Sequence, residues 1–215
     1  MILFTVIIVI IISYFHQNQL PIYDINLAAK FILNKQKSND FGKISKALGY
    51  EPTDKLLIIH ADDVGLCKSV NSATFESFKN KSISSAAVML TTSEIDEAAR
   101  FSIDNPNFDM GIHLTVTSEW KNHKWGGVLK NDDIGSILNS NNHLYWNKRK
   151  FTKHGKLDEV RKELQAQIDL GISMGFNPSH IDSHEGALFF DPEIFKLYLN
   201  LAEKNNLLAF VPIQA

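Results

Sequence analysis

"KLLIIHADD", residues 55–63, is an apolar run that ends in one histidine and two consecutive acids. A run of this length flanked by polar residues predicts a buried strand, with the acids at its carboxyl end. The segments downstream decide the fold. "NSATFESFKNKS" (71–82) predicts a helix, "SSAAVML" (84–90) a second strand, and "SEIDEAARFSIDN" (93–105) a helix with Ser93 as N-cap and Asp96 three residues on. "DMGIHLTVT" (109–117) predicts a third strand. The next helix, "KLDEVRKELQAQIDLGISMG", carries apolar residues at 157, 160, 164, 168 and 172 and closes at Gly175. A short strand around His180 comes next. Asp191 as N-cap and Pro192 at the first helical position then open another helix, and "LLAFVPI" (207–213) is a fifth strand. Strand–helix alternation of this kind gives an α/β fold with a mainly parallel sheet and right-handed crossovers.

The bulk properties suit one globular domain with a real core: 215 residues, 44% hydrophobic and 21% charged. A net charge of −2 gives no electrostatic footprint for nucleic acid or for an anionic membrane surface. Cys67 is the single cysteine, which excludes an internal disulfide framework and a cysteine-rich zinc site. Any metal must be held by histidine and carboxylate.

Both ends of the chain stand apart. "ILFTVIIVIIISYF", residues 2–15, is shorter than the roughly 18–20 residues that span a bilayer and fits a signal-peptide core, although no Lys or Arg precedes it. Residues 1–19 are therefore expected to export the chain, with an uncleaved membrane anchor as the alternative, and residues 20–54 form a lead-in to a domain over 55–215. Membrane contact is expected only through this terminal segment.

The chemistry collects at one pole. Asp62 and Asp63 close strand one, His113 lies in the second half of strand three, and "PSHIDSHEGAL" (178–188) sets His180, Asp182 and His184 on alternate positions of strand four. Alternate strand positions share a face, and functional side chains in parallel α/β folds gather at the carboxyl ends of strands. Two imidazoles and a carboxylate on one face are expected to form one wall of a metal site that keeps open coordination positions; the other reading of the trio is a solvated polar face.

Three motifs together, "IIHADDVGLCKSVNSA" (58–73), "GIHLTVTSEW" (111–120) and "PSHIDSHEGAL", resemble the YdjC/ChbG family of carbohydrate deacetylases, relatives of the polysaccharide deacetylases. The resemblance runs from about residue 45 to the end. It implies a (β/α) barrel-like fold and removal of N-acetyl groups from sugars or oligosaccharides with one divalent metal ion. By position it implies Asp63, His113 and His184 as metal ligands and Asp62 as catalytic base. Imidazole ligands favour zinc, and an open, oxygen-bearing geometry also admits magnesium. Asp182 is expected to orient a ligand imidazole. His180 is either a ligand or a supporting histidine, with the supporting role preferred, and His60 is expected to be a hydrogen-bonded core histidine. Between Ser118 and Lys150 the connection is longer than an ordinary βα loop and holds Trp120, Trp125, Tyr145 and Trp146. Trp120 and Trp125 are candidates to stack on sugar rings; the other role open to these aromatics is to pin the loop to the body.

The resemblance also implies an incomplete domain. About five strands are present, whereas a closed barrel takes about seven or eight. A later family histidine, expected to protonate the departing amine, has no counterpart here. The isolated chain is accordingly expected to be poorly soluble or oligomeric, weakly protected from hydrogen exchange over 207–213, and much less active than a longer version. Two other functions fit the same residues: an inactive carbohydrate-binding remnant, and a different metal-dependent hydrolase such as a phosphoesterase.

Overall fold

A computed structural model describes residues 41–212; the apolar run 2–15 and its expected export role lie outside the described residues. The chain divides into two units. One comprises 1–56 with 212–215; its described part holds a short helix, α1 (Phe41–Ala47), followed by a turn in which Tyr50 N–H donates to the Ser45 carbonyl at 2.9 Å. The other, 57–211, contains the whole sheet and every candidate site residue.

In that unit, strands β1 (His60–Val64), β2 (Ser85–Val88), β3 (Asp109–Leu114), β4 (His180–Ser183) and β5 (Leu208–Ala209) form one sheet in the order β1-β2-β3-β4-β5. Every pair is parallel. Spatial order that follows chain order, with no reversal, belongs to a barrel-type α/β sheet. A doubly wound sheet instead switches direction part-way. Parallel strands that advance in one direction, joined by crossovers of the usual right hand, place the connecting helices on one face. These are α2 (Lys68–Lys79), α3 (Ile95–Asp104), α6 (Leu157–Ser173) and α7 (Pro192–Lys204).

The two faces differ sharply in chemistry. Ala86 and Val88 of β2, Met110, Ile112 and Leu114 of β3, and Ile181 of β4 join the apolar core, together with Val160, Leu164, Ile168, Leu197 and Leu201 from the helices. Strand alternation sends Ser85, Gly111, His113, His180 and Asp182 to the opposite face. Gly111 is required there: a Cβ at this position would overlap the His180 ring. Helix α7 starts as its sequence specifies, with the Asp191 carboxylate accepting from the backbone N–H groups of Glu193 and Ile194.

Several boundaries differ from the sequence expectation. Residues 55–59 are not strand, and Leu57 and Ile58 are 79% and 75% exposed. β2 pairs with β1 only from His60 onward, so the preceding residues have no ladder to extend. The fifth strand is confined to Leu208–Ala209, which pair with His180 and Ile181 of β4. The Ser93–Asp96 capping box does not form; Glu94 occupies the N-cap position of α3 without a side-chain bond, and its N–H donates instead to the Gly65 carbonyl. In α6 the apolar stripe ends at Gly171, which lies against Ile112, while Ile172 is exposed. β4 ends at Ser183, and His184 begins a 3₁₀ turn, His184–Phe189.

The long connection after β3 is a packed excursion. It contains α4 (Asn131–Ile134), a 3₁₀ turn (Gly135–Ile137) and α5 (Lys148–His154). The buried Glu163 of α6 anchors it, its carboxylate accepting from Val128 N–H at 2.7 Å, Leu129 N–H at 3.0 Å and the Gln167 side chain at 2.9 Å. Gln167 in turn bonds both backbone groups of Thr115, directly beyond β3.

Candidate metal centre

Consecutive residues of a regular strand point to opposite faces, so two adjacent acids cannot both serve one site unless the strand kinks. β1 does kink. Its register with β2 shifts between Ala61 and Val64, and Asp63 has φ of 63°. This left-handed conformation costs a non-glycine residue about 1–2 kcal/mol, and aspartate is among the residues that adopt it. A buried network holds the kink. Gly65 N–H donates to Asn71 Oδ1 at 2.7 Å, Asn71 Nδ2 donates to the Glu94 carbonyl and to Glu97, and the Thr92 hydroxyl donates to the Gly65 carbonyl at 2.7 Å.

As a result Asp63 faces two imidazoles. Its Oδ1 lies 3.3 Å from His113 Nε2 and 3.1 Å from His184 Nδ1, and those two nitrogens are 3.2 Å apart. Three donor atoms so spaced fit one divalent ion. Bonds of 2.0–2.1 Å give ligand–ligand edges of roughly 2.9 Å in an octahedron and roughly 3.4 Å in a tetrahedron, and the observed spacings lie between. Without an ion, burial alone would raise the Asp63 pKa, but hydrogen bonds from His113 and His184 outweigh it and hold the carboxyl far below the usual range. Burial depresses His113, yet its bonds to Asp182 and Asp63 prevail and raise it to about 10. His184 is raised as well: burial works against its charged form, and Asp63 and Glu119 overcome it. A cation would take the place of the protons that His113 Nε2 and His184 Nδ1 direct at Asp63.

Asp182 lies directly across the β3–β4 ladder from His113. Its Oδ1 accepts from His113 Nδ1 at 2.6 Å, while Oδ2 is 3.2 Å from His60 Nε2. Burial favours the protonated acid, but the His113 and His60 bonds hold Asp182 at about 2. His60 Nδ1 pairs with the Ser85 hydroxyl at 3.0 Å, and its Nε2 also lies 3.4 Å from Asp62 Oδ1. His60 is thus a hydrogen-bonded inner-face histidine. The side chain of Asp62 is 59% exposed and takes no part in the Asp63–His113–His184 trio. His60, Asp62 and Asp182 form a second group close enough to hold an ion, but there each Asp182 oxygen already accepts from an imidazole.

His180 stays outside the trio. Its ring meets His60 edge-on at 5.2 Å, Nδ1 is 2.7 Å from the Ser179 hydroxyl, and burial lowers its pKa. Ser179 also bonds Asp109. The two tryptophans separate. Trp125 is 4% exposed, its indole N–H donates to the Thr117 carbonyl at 2.8 Å, and its ring stands edge-on to His184 at 6.0 Å. It therefore packs against His184, leaving little ring surface for a sugar. Trp120 is 47% exposed.

Sequence reasoning missed Glu119, whose Oε2 lies 2.9 Å from His184 Nε2, and Asn71, which locks the acidic kink. Both sit inside the three motifs, but nothing in their spacing reveals their partners.

A family model described as "YdjC-like protein" matches residues 56–214. Among curated proteins, the chain is similar to a carbohydrate deacetylase of Geobacillus stearothermophilus, 31% identical over 156 residues, covering 70% of this chain and 57% of the relative. It is likewise similar to a chitooligosaccharide deacetylase of Yersinia enterocolitica, 32% identical over 158 residues, covering 72% and 58%. A crystal structure from Enterococcus faecalis V583, described provisionally as a cellobiose-phosphate cleavage protein, superposes with a TM-score of 0.66 at 28% identity, covering 73% of this chain and 59% of that one. The chain thus spans a little under three fifths of the length of these relatives.

Proposed function

The chain belongs to the YdjC-like family, and from that premise and the geometry of its inner face we propose that it is a metal-dependent hydrolase removing N-acetyl groups from amino sugars or their oligosaccharides. One observation carries this most: Asp63, His113 and His184 converge at 3.1–3.3 Å while the neighbouring, exposed Asp62 stays outside that trio, 3.4 Å from His60. The curated relatives named as carbohydrate and chitooligosaccharide deacetylases support the substrate class.

Two imidazoles and a carboxylate suit zinc, and the ligand spacing also accommodates magnesium. A divalent cation held by these three residues supplies Lewis acidity, polarising the acetamide carbonyl and acidifying a water. The remaining work falls to side chains of this chain. Asp62, not committed to the cluster, accepts the proton of the attacking water. His60, 3.4 Å away and bonded to Ser85 and Asp182, limits where the Asp62 carboxylate can turn. Asp182 keeps the proton of His113 on Nδ1 and so keeps Nε2 directed at the centre. Trp120 offers an exposed aromatic face on the connection after β3, where the flat face of a sugar ring can stack. Export or anchoring through residues 2–15 belongs to the same proposal, supported by their apolar composition.

The test is acetate release from N,N′-diacetylchitobiose under single-turnover conditions, with protein in excess so that slow chemistry is still read. Asp62→Asn is expected to retain the bound metal and to slow release about 10²–10⁴-fold, the range of general-base catalysis. Release that is equally fast in that variant, or unaffected by a chelator, contradicts the proposal.

A further inference from the structure

His184 is held from both of its ring nitrogens. Nδ1 faces Asp63 Oδ1 at 3.1 Å and His113 Nε2 at 3.2 Å, so it is the nitrogen turned toward the cluster. Nε2, on the far side of the ring, lies 2.9 Å from Glu119 Oε2. A neutral imidazole carries one N–H, and a ligating nitrogen must present its lone pair. If Nδ1 ligates, the proton sits on Nε2 and needs an acceptor. We infer that Glu119 is a positioning residue that fixes His184 as the Nε2–H tautomer and aims its Nδ1 at the metal centre.

His113 is arranged in the opposite sense. There Nε2 faces the cluster and Nδ1 is bonded to Asp182 at 2.6 Å. Each ligand imidazole therefore has a carboxylate of its own on the ring nitrogen that faces away from Asp63.

Glu119 is itself well placed to hold a fixed position. Its neighbour Ser118 is buried, donates its N–H to the Tyr145 carbonyl at 2.8 Å, and accepts from Trp125 N–H on its hydroxyl at 3.1 Å. Lys124 donates to the Ser118 carbonyl. The Trp125 ring meets the buried His184 ring in a T-shaped contact with centroids 6.0 Å apart. The Glu163 anchor on Val128 and Leu129 fixes the segment just beyond. Glu119, His184 and Glu185 also come close enough to hold an ion among themselves. Ligation there needs the Nε2 lone pair, which leaves the proton on Nδ1 and removes Nδ1 as a ligand toward Asp63 and His113, so the two arrangements exclude each other.

The inference rests on Asp63, His113 and His184 being ligands, and two measurements separate it from that assignment. The first is ¹⁵N NMR of the His184 ring in the metal-free chain, at a pH where the ring is neutral. The second is titration with Co²⁺ followed by its visible absorption. Glu119→Ala is expected to lose the Nε2–H tautomer preference and to weaken Co²⁺ binding about 10–100-fold, with a cooperative melt retained. Glu119→Gln, whose amide oxygen can still accept the N–H, is expected to recover most of both. Unchanged tautomer and affinity in Glu119→Ala overturn the inference. So does a loss as complete as that of His184→Ala, which makes Glu119 a ligand. If the parent chain takes up no Co²⁺, the ligand assignment fails, and the tautomer measurement alone then decides the role of Glu119.

Discussion

Asp182 and His113 face each other across the β3–β4 ladder, and the carboxylate accepts from the imidazole Nδ1 at 2.6 Å with both side chains buried. Parallel pairing sets this contact: Ile112 opposite Ile181 sends one pair to the core, and the next pair must then meet on the polar face. Asp182→Asn is expected to let the His113 pKa fall from about 10 toward its ordinary 6.5, and to weaken metal binding about 10–100-fold. NMR titration of the His113 ring in the metal-free protein reads the first effect and calorimetry the second. A His113 that titrates as before contradicts the pairing.

Metal binding should release protons. His113 and His184 both have raised pKa values without an ion, and a ligating imidazole must be neutral. Affinity is therefore expected to rise with pH up to about 10. Calorimetry at about pH 7, in buffers of different ionisation enthalpy, should show proton release on binding; a heat independent of buffer counts against it.

The same groups set the pH dependence of the metal-free fold. A raised histidine contributes stability that is complete below about pH 6.5 and lost as the pH climbs through about 10. A depressed carboxyl such as Asp182 contributes stability that is complete above 3.8 and lost as the pH falls through about 2. Urea unfolding across pH should give highest stability between these limits. A stability that keeps rising from about pH 7 to about pH 10 would be inconsistent with the His113 pairing.

Asn71 has its side chain fully committed inside the protein, accepting from Gly65 and donating to Glu94 and Glu97. Asn71→Ala strands the Gly65 N–H and is expected to destabilise by about 1–3 kcal/mol. Because Gly65 follows the kink that presents Asp63, metal affinity should fall in the same variant. Denaturant melts and metal titration check the two together, and a loss of stability with intact affinity would uncouple the network from the site.

Much of this was legible locally. Asp191 and Pro192 mark the start of α7 because capping is decided within one helical turn, and strand alternation already places His113 and Asp182 on faces that can meet. The illegible part depends on partners distant in sequence. Leu57 and Ile58 look like strand interior, yet β2 supplies no partner ahead of Ser85. Ser93 has the residue type of a cap, but the Gly65 carbonyl draws the Glu94 N–H and shifts the helix start. Trp125 reads equally as a face for a sugar ring or as a pin holding its loop to the body, and only the fold shows it lying against His184. Glu119 carries no periodic signal at all; its meaning is the position of a ring 65 residues further on.

Gly111 is expected to tolerate no side chain, because a methyl there overlaps the ring of His180. Gly111→Ala should cost about 1–3 kcal/mol, as overpacking does. Adding His180→Ala should recover part of that loss, since the clash is with one ring. If the double variant is no more stable than the single, backbone conformation rather than the His180 contact explains the glycine.

The proposed chemistry stands or falls on Asp63, His113 and His184 forming one metal centre. Equilibrium dialysis of the protein against zinc or magnesium, followed by elemental analysis, is the decisive check. One divalent ion per chain is expected, lost in His113→Ala and in His184→Ala and retained in Asp62→Asn. A parent chain that holds no ion, or a His184→Ala variant that binds as tightly as the parent, would refute the assignment.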